Sequence, residues 1–223
     1  MVTVLIPAYN EERRIAQTVR GIKNITMISE IIVVSDGSAD NTANKAREAG
    51  ADLVLELTKN KGKGKALNVA LDYINTDIVA LIDADLGETS GEIEKLLKPV
   101  IQNEADLTIA IFPHSGKKSG FGWVKRLANW GGKKFADINL TEPLSGQRVL
   151  NKKALNAVTP WANGFGMEVA MNISAAKAEL RIKEVETRMS HKVTGRNISG
   201  FYHRGRQLVH VLKALMYIRG TRV

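Results

Sequence analysis

Cysteine does not occur in this chain. Disulfides, thiolate metal sites and thiol nucleophiles are therefore excluded. Aromatic residues are scarce, at 5%, and are not interleaved with the basic ones. That argues against a nucleic-acid binder, which would need stacking platforms. No stretch approaches eighteen consecutive apolar residues, so no transmembrane helix is expected. The start of the chain runs straight into a strand-like Val2 to Ile6, without a basic segment or a long apolar core, so no signal peptide is expected and the cytoplasm is the default. There is no internal repeat, no low-complexity segment and no proline-rich linker. One domain over residues 1–223 follows, with two functional halves, 1–112 and 113–223. The first strand is not followed by Gly-x-Gly-x-x-Gly, and Lys59 to Lys65 has the wrong spacing for a phosphate loop of the Gly-x-x-x-x-Gly-Lys type.

What the chain does have is positive charge. Its formal net charge is +9, which favours polyanionic partners such as phosphates, nucleic acid or an anionic membrane surface. The acids are common up to Glu104, and the last third is rich in Lys, Arg and His.

The most telling stretch is Asp77 to Asp85. The apolar run Ile78 to Ile82 reads as a strand buried on both faces of a parallel sheet. It ends in Asp83 and Asp85, which alternation would place on one side with Ala84 pointing away. Acids at the carboxyl end of such a strand sit where open α/β sheets bind ligands. Paired carboxylates there need a cation or donors to compensate them. Hard oxygens suit magnesium or manganese, and these suit a diphosphate. A merely solvated acidic strand end is the competing reading.

Around this stretch the first hundred residues alternate strand and helix. Strands are expected at Val2 to Ile6, Ile31 to Val34, Leu53 to Leu57, Ile78 to Ile82 and Leu107 to Ile111. Helical spacing appears from Glu11 to Lys23, through Arg47, at Leu67 to Ile74, and after a Thr89/Glu92 capping box. The alternation predicts an α/β fold with a mostly parallel, doubly wound sheet flanked by helices. Beyond Phe112 the spacing predicts a loop from His114 to Gly122, a helix from Trp123 to Ala136 and an extended Leu144 to Leu150. A helix from Met167 to Ala178, a strand from Arg181 to Arg188 and a basic amphipathic helix over Tyr202 to Arg219 complete it.

Polar groups gather at three predicted strand tips. Pro7-Ala8-Tyr9-Asn10-Glu11 follows the first, Ser35-Asp36-Gly37-Ser38 with Asp40 the second, and Asp83-Ala84-Asp85 the fourth. Tyr9 offers a planar surface; Asn10, Glu11 and Asp36 can hydrogen-bond a base or ribose. Each tip also has a plain alternative, a helix start or an Asp-Gly turn.

With Gly62-Lys63-Gly64-Lys65-Ala66-Leu67, these segments in this order resemble the family 2 glycosyltransferases of GT-A fold. The resemblance implies an enzyme binding a nucleotide-diphosphate sugar. Pro7, Ala8, Tyr9, Asn10, Glu11 and Asp36 would hold base and ribose, and Gly62, Lys63 and Lys65 would border the nucleotide. Asp83 would contact ribose or metal, and Asp85 would ligate a divalent ion, Mn2+ or Mg2+, on the diphosphate. Pro143 to Arg148 and Gly164 to Glu168 are similar to segments of glucosyl-3-phosphoglycerate synthases and, more loosely, of polyprenyl-phosphate mannose synthases. By that likeness Glu168 would orient or deprotonate the acceptor hydroxyl. Gly146, Arg148 and Arg196 would line the acceptor site, and His191 would be a third metal ligand, imidazole suiting manganese better than magnesium. Leu86-Gly87-Glu88 departs from the Leu-Gln of the mannose synthases, and Gln147-Arg148-Val149 departs from the Gln-x-x-Arg-Trp of processive synthases.

The expected partners are a nucleotide-diphosphate sugar and a small, anionic acceptor. A polyprenyl phosphate reached at a membrane surface is the alternative, with the 202–219 helix lying peripherally on the bilayer. Homo-oligomerisation and the stereochemical outcome are left open by the sequence.

Overall fold

Among the described residues seven strands form one sheet in the order β3-β2-β1-β4-β6-β5-β7. They are β1 (Val2–Ala8), β2 (Ile28–Ser35), β3 (Leu53–Glu56), β4 (Ile78–Leu81), β5 (Leu107–Ile111), β6 (Arg148–Asn151) and β7 (Ile182–Glu186). The computed structural model describes residues 1–112, 122–162 and 166–190. Its helices are α1 (Ile15–Lys23), α2 (Thr42–Glu48), α3 (Lys63–Ala70), α4 (Ile93–Ile101), α5 (Gly122–Ala136), α6 (Lys152–Val158) and α7 (Met167–Lys177). The expected loop around 114–121, His191, Arg196 and the 202–219 helix lie outside the described residues.

Both faces of the central strands are buried, as the unbroken apolar runs require. Along β1, Val4 and Ile6 join the layer of Ile15, Val19 and Ile22 from α1 and Ile93, Leu96 and Leu97 from α4. Leu5, pointing the other way, joins Ala66 and Leu67 of α3 with Met167 and Met171 of α7. The same alternation divides Ala80 of β4 and Ile82 just after it from Val79 and Leu81. Burying each of these larger side chains contributes roughly 1.5–3 kcal/mol. The sheet is therefore sandwiched between two helical layers.

All neighbouring strands run parallel except around β6. It is antiparallel to both β4 and β5, with Leu81 and Ile109 opposite Arg148. β6 thus separates β4 from β5, which pairs on its far side with β7 in parallel. This insertion carries residues 146–148 to the tip of β4. Among the described residues no helix is long and apolar enough to cross a membrane.

Several expected boundaries move. α1 begins at Ile15 rather than Glu11; residues 12–14 form a turn, with the amides of Glu11 and Glu12 bonded to Thr42 Oγ1 and Asp40. The Thr89/Glu92 capping box does not form. Thr89 donates its hydroxyl to the Leu86 carbonyl within a 3₁₀ segment, Gly87–Glu92, and the Glu92 carboxylate accepts from Lys95 and from the Arg188 amide. The helix at Leu67 starts earlier, at Lys63, and tightens to 3₁₀ geometry over Leu71–Tyr73. Of the extended Leu144 to Leu150, strand pairing begins only at Arg148.

Candidate active site

The carboxyl ends of β1, β2 and β4 open on the same edge, and loops from the first two are stitched together. Asn10, at φ 54, adopts the left-handed backbone that asparagine tolerates. Its amide donates to Ser38 Oγ and its side-chain oxygen accepts from the Ala39 amide. Tyr9 remains 49% exposed beside it, a ring available for stacking. Pro7 is half-buried and Ala8 buried, so both shape this edge chiefly through the main chain.

Asp36, only 3% exposed, turns inward. Its two carboxylate oxygens accept the amides of Lys61 and Gly62 at 2.8 and 2.7 Å, fixing the approach to α3. Gly37 must be glycine: at φ +70 an added Cβ would lie 2.4 Å from the Lys59 carbonyl carbon. Gly62, at φ +89, is a second left-handed glycine and supplies the sharp entry to the helix. Lys65 faces outward on α3, exposed.

Four side chains from four segments meet beyond β4. Lys63, at the start of α3, places Nζ 2.6 Å from Asp83 Oδ1 and 3.2 Å from Glu168 Oε1. Glu168 is buried in the first turn of α7. Burial disfavours the Lys63 charge, but the facing carboxylates of Asp83 and Glu168 overcome it and hold the ammonium above the ordinary lysine range. The fourth member is Gln147, just before β6 and fully buried. Its Oε1 accepts the Asp83 amide at 3.0 Å and its Nε2 donates to Asp83 Oδ2 at 2.8 Å. Gly146 lies against this cluster so closely that a Cβ would sit 2.5 Å from Lys63 Nζ and 2.7 Å from Asp83 Oδ2.

β4 itself stops at Leu81, two residues short of Asp83, and Ala84 and Asp85 lie in a turn. The strict alternation expected of an extended Asp-Ala-Asp therefore does not hold. The turn is held from below: Thr18 donates to the Ala84 carbonyl and accepts the Gly87 amide, and Arg14 donates to the Asp85 carbonyl at 2.9 Å. Ala84 is buried in the core layer, while Asp83 and Asp85 are half-buried.

Arg148 is a correction. Expected at the acceptor, it is fully buried, donating to the carbonyls of Ser145 and Pro143 and to Asn172 Oδ1. Its place in β6 turns the side chain into the interior. Burial pushes the guanidinium down to about 10, against the opposing pull of Glu168 and Glu184. Arg148 buttresses the 143–146 turn that presents Gly146. Gln147, Thr18 and Arg14 were missed by sequence reasoning. Only Gln147 had a signal there, its place between two residues already singled out.

The donor set fits a divalent ion of the magnesium class. Among the described residues no group of three or more acidic or histidine side chains converges, and Asp83 is already engaged by Lys63 and Gln147. Asp85 supplies hard carboxylate oxygens at a partly exposed position. Magnesium sites often take one or two carboxylates and complete their shell with substrate phosphates and water.

The model of the family described as Glycosyl transferase family 2 matches residues 3–167. Glucosyl-3-phosphoglycerate synthase of Mycolicibacterium smegmatis is 30% identical over 193 residues, covering 76% of this chain and 62% of that protein. Dolichol-phosphate mannosyltransferase of Pyrococcus furiosus is 28% identical over 196 residues, covering 82% of this chain and 55% of the other. The chain thus spans little more than half the length of these relatives. The crystal structure of glucosyl-3-phosphoglycerate synthase from Mycobacterium tuberculosis with Mn2+, UDP and phosphoglyceric acid superposes with a TM-score of 0.82 at 23% identity, covering 100% of this chain and 80% of that one. The shared architecture is the GT-A fold.

Proposed function

The chain belongs to glycosyl transferase family 2, and on that premise we propose that it moves a sugar from a nucleotide-diphosphate sugar to a small anionic acceptor. The observation that carries this reading is the Lys63–Asp83–Gln147–Glu168 cluster, which joins the tip of β4 to the start of α7. It brings a cation suited to phosphate beside two carboxylates suited to sugar hydroxyls.

In this reading the edge formed by Pro7, Ala8, Tyr9, Asn10 and Glu11 receives base and ribose, with Tyr9 stacking on the base. Asp36 keeps the Gly62–Lys63 entry in place. Lys63 then faces the diphosphate, while Asp83, oriented by Gln147, accepts from the ribose. Asp85 would hold Mn2+ or Mg2+, which when bound supplies Lewis-acid neutralisation of the leaving diphosphate. His191 would be a further ligand. Glu168 accepts a hydrogen bond from the acceptor hydroxyl, orienting it or taking its proton as the new glycosidic bond forms. Gly146 borders the acceptor, and Arg196 would join it. The acceptor of the mycobacterial relative, phosphoglyceric acid in the structure's description, exemplifies the anionic class, and the +9 charge suits it.

A second reading, transfer to a polyprenyl phosphate, is favoured by the dolichol-phosphate mannosyltransferase relative. Calorimetry with UDP-, GDP- and ADP-sugars, with and without Mn2+, tests the donor. Turnover with phosphoglycerate against a short polyprenyl phosphate tests the acceptor. Asp85→Ala should abolish metal-dependent donor binding in a folded protein. Glu168→Gln should keep donor binding and lose transfer. Full turnover in both variants would overturn the site assignment.

A further inference from the structure

Among the described residues, one helix carries a markedly basic outer face. α5 carries four basic residues, Lys125, Arg126, Lys133 and Lys134, and no acid in its fifteen positions. Its inner side is fixed. Ala128, with Leu127, Phe135 and Ala136, packs on Val169, Ala170 and Ile173 of α7. Gly132 lets the helix approach the following loop, since a Cβ there would sit 2.9 Å from the Ile138 carbonyl oxygen. Packing therefore determines which side chains face out: Arg126, Trp130, Lys133 and Lys134 are exposed, within an arc of about 100° at 3.6 residues per turn. Lys125 stands apart, paired with Glu142 at 3.0 Å.

Trp130 is the unusual member, 52% exposed. Lys134 Nζ stands 4.8 Å from its ring centroid, and Phe135 meets it edge-on at 6.4 Å. An amphipathic ring rimmed by cations on the outer side of a packed helix has the chemistry of a bilayer interface. The indole sits at headgroup depth with its N–H hydrated, and the long basic side chains reach anionic headgroups.

We propose that the outer face of α5 docks reversibly on an anionic lipid surface. The 202–219 segment, where the sequence alone suggested membrane contact, is a separate stretch of chain. The docking does not depend on which acceptor receives the sugar. Three basic residues near an anionic surface, at about 1 kcal/mol each, with one aromatic ring, give an attachment that salt loosens.

The test is co-sedimentation of the full chain with vesicles of phosphatidylcholine alone and of phosphatidylcholine mixed with phosphatidylglycerol. Emission of Trp130 is read as the difference between wild type and Trp130→Phe. Expected are binding to the anionic vesicles alone, loss of binding at high salt and a blue shift that Trp130→Phe removes. The triple variant R126Q/K133Q/K134Q, confirmed as folded by its melting curve and by unaltered nucleotide-sugar binding, should lower the partition coefficient on the order of a hundredfold. No sedimentation with anionic vesicles would overturn the proposal. So would binding that the triple variant leaves unchanged, which would place the contact elsewhere. Retention of the chain by an acidic protein or by RNA, with no vesicle binding, would assign the face to another partner class and equally overturn it.

Discussion

The side-chain amide of Gln147 grips Asp83 at two points, accepting its main-chain N–H at 3.0 Å and donating to its carboxylate at 2.8 Å. One residue thus sets both where the β4 tip lies and which way the Asp83 carboxylate faces. Gln147→Ala leaves a buried amide and one carboxylate oxygen short of a partner, at a cost of roughly 1–3 kcal/mol. For a chain of this size that lowers Tm by about 2–10 °C. Donor affinity, measured by calorimetry, should fall about tenfold. Unchanged affinity would mean that Asp83 needs no help in facing the ligand.

Gly146 is held to glycine by contact rather than by backbone conformation. A methyl group there would meet Lys63 Nζ at 2.5 Å and Asp83 Oδ2 at 2.7 Å. Both neighbours are side-chain ends that can swing aside, so Gly146→Ala should fold with Tm lowered by only a few degrees. It should nevertheless separate Lys63 from Asp83 and weaken donor binding by about tenfold or more. Wild-type affinity in a folded Gly146→Ala protein would show that the pair is not needed for the donor.

Arg148 is expected to matter for stability and not for the acceptor. Removing its buried guanidinium leaves Asn172 Oδ1 and the Ser145 carbonyl without this donor, while the Pro143 carbonyl keeps its bond from Asn172 Nδ2. Arg148→Met should cost about 3 kcal/mol, lowering Tm by roughly 10 °C. The acceptor KM of the protein that remains folded should stay within about twofold. A large rise in KM with unchanged Tm would restore Arg148 to the acceptor.

Acid stability should depend on Asp106. Arg181 donates to it from its main-chain amide, Nε and Nη2, and Asn151 adds a fourth bond. The Arg181 hydrogen bonds outweigh burial and hold this carboxyl well below its ordinary 3.8. A depressed value stabilises the fold above the unfolded-state pKa and is lost as pH falls through the folded one. Stability should therefore decline between about pH 5 and pH 2, and Asp106→Asn should flatten that decline. Lys63 has the opposite sign. Its raised value contributes fully below the ordinary 10.5 and is lost only at higher pH, so the Lys63 charge itself adds nothing to the decline in acid.

The parts legible in the sequence were those written locally. Runs such as Ile31 to Val34 and Ile78 to Leu81 announce strands buried on two faces, and the structure places both within the sheet. Asp83 was visible because it closes the apolar run Ile78 to Ile82, whereas Gly62 and Lys63 were singled out only through the family resemblance. Gln147 was not, since its role depends on a partner 64 residues away. That partner is reached only because β6 runs antiparallel beside β4. Arg148 misled for the same reason: a charge can be read from sequence, but its orientation follows from strand pairing.

β6 has a consequence for how such a molecule can be altered. β5 touches β4 nowhere in the sheet order, so the fifth strand of the first half is sutured to the other four only through a strand contributed by the second. The segments before and after β5 are consequently not interchangeable modules. A graft that replaces the later one must bring with it a glycine and a glutamine that suit the recipient's own aspartate, or the tip of β4 will lose its support.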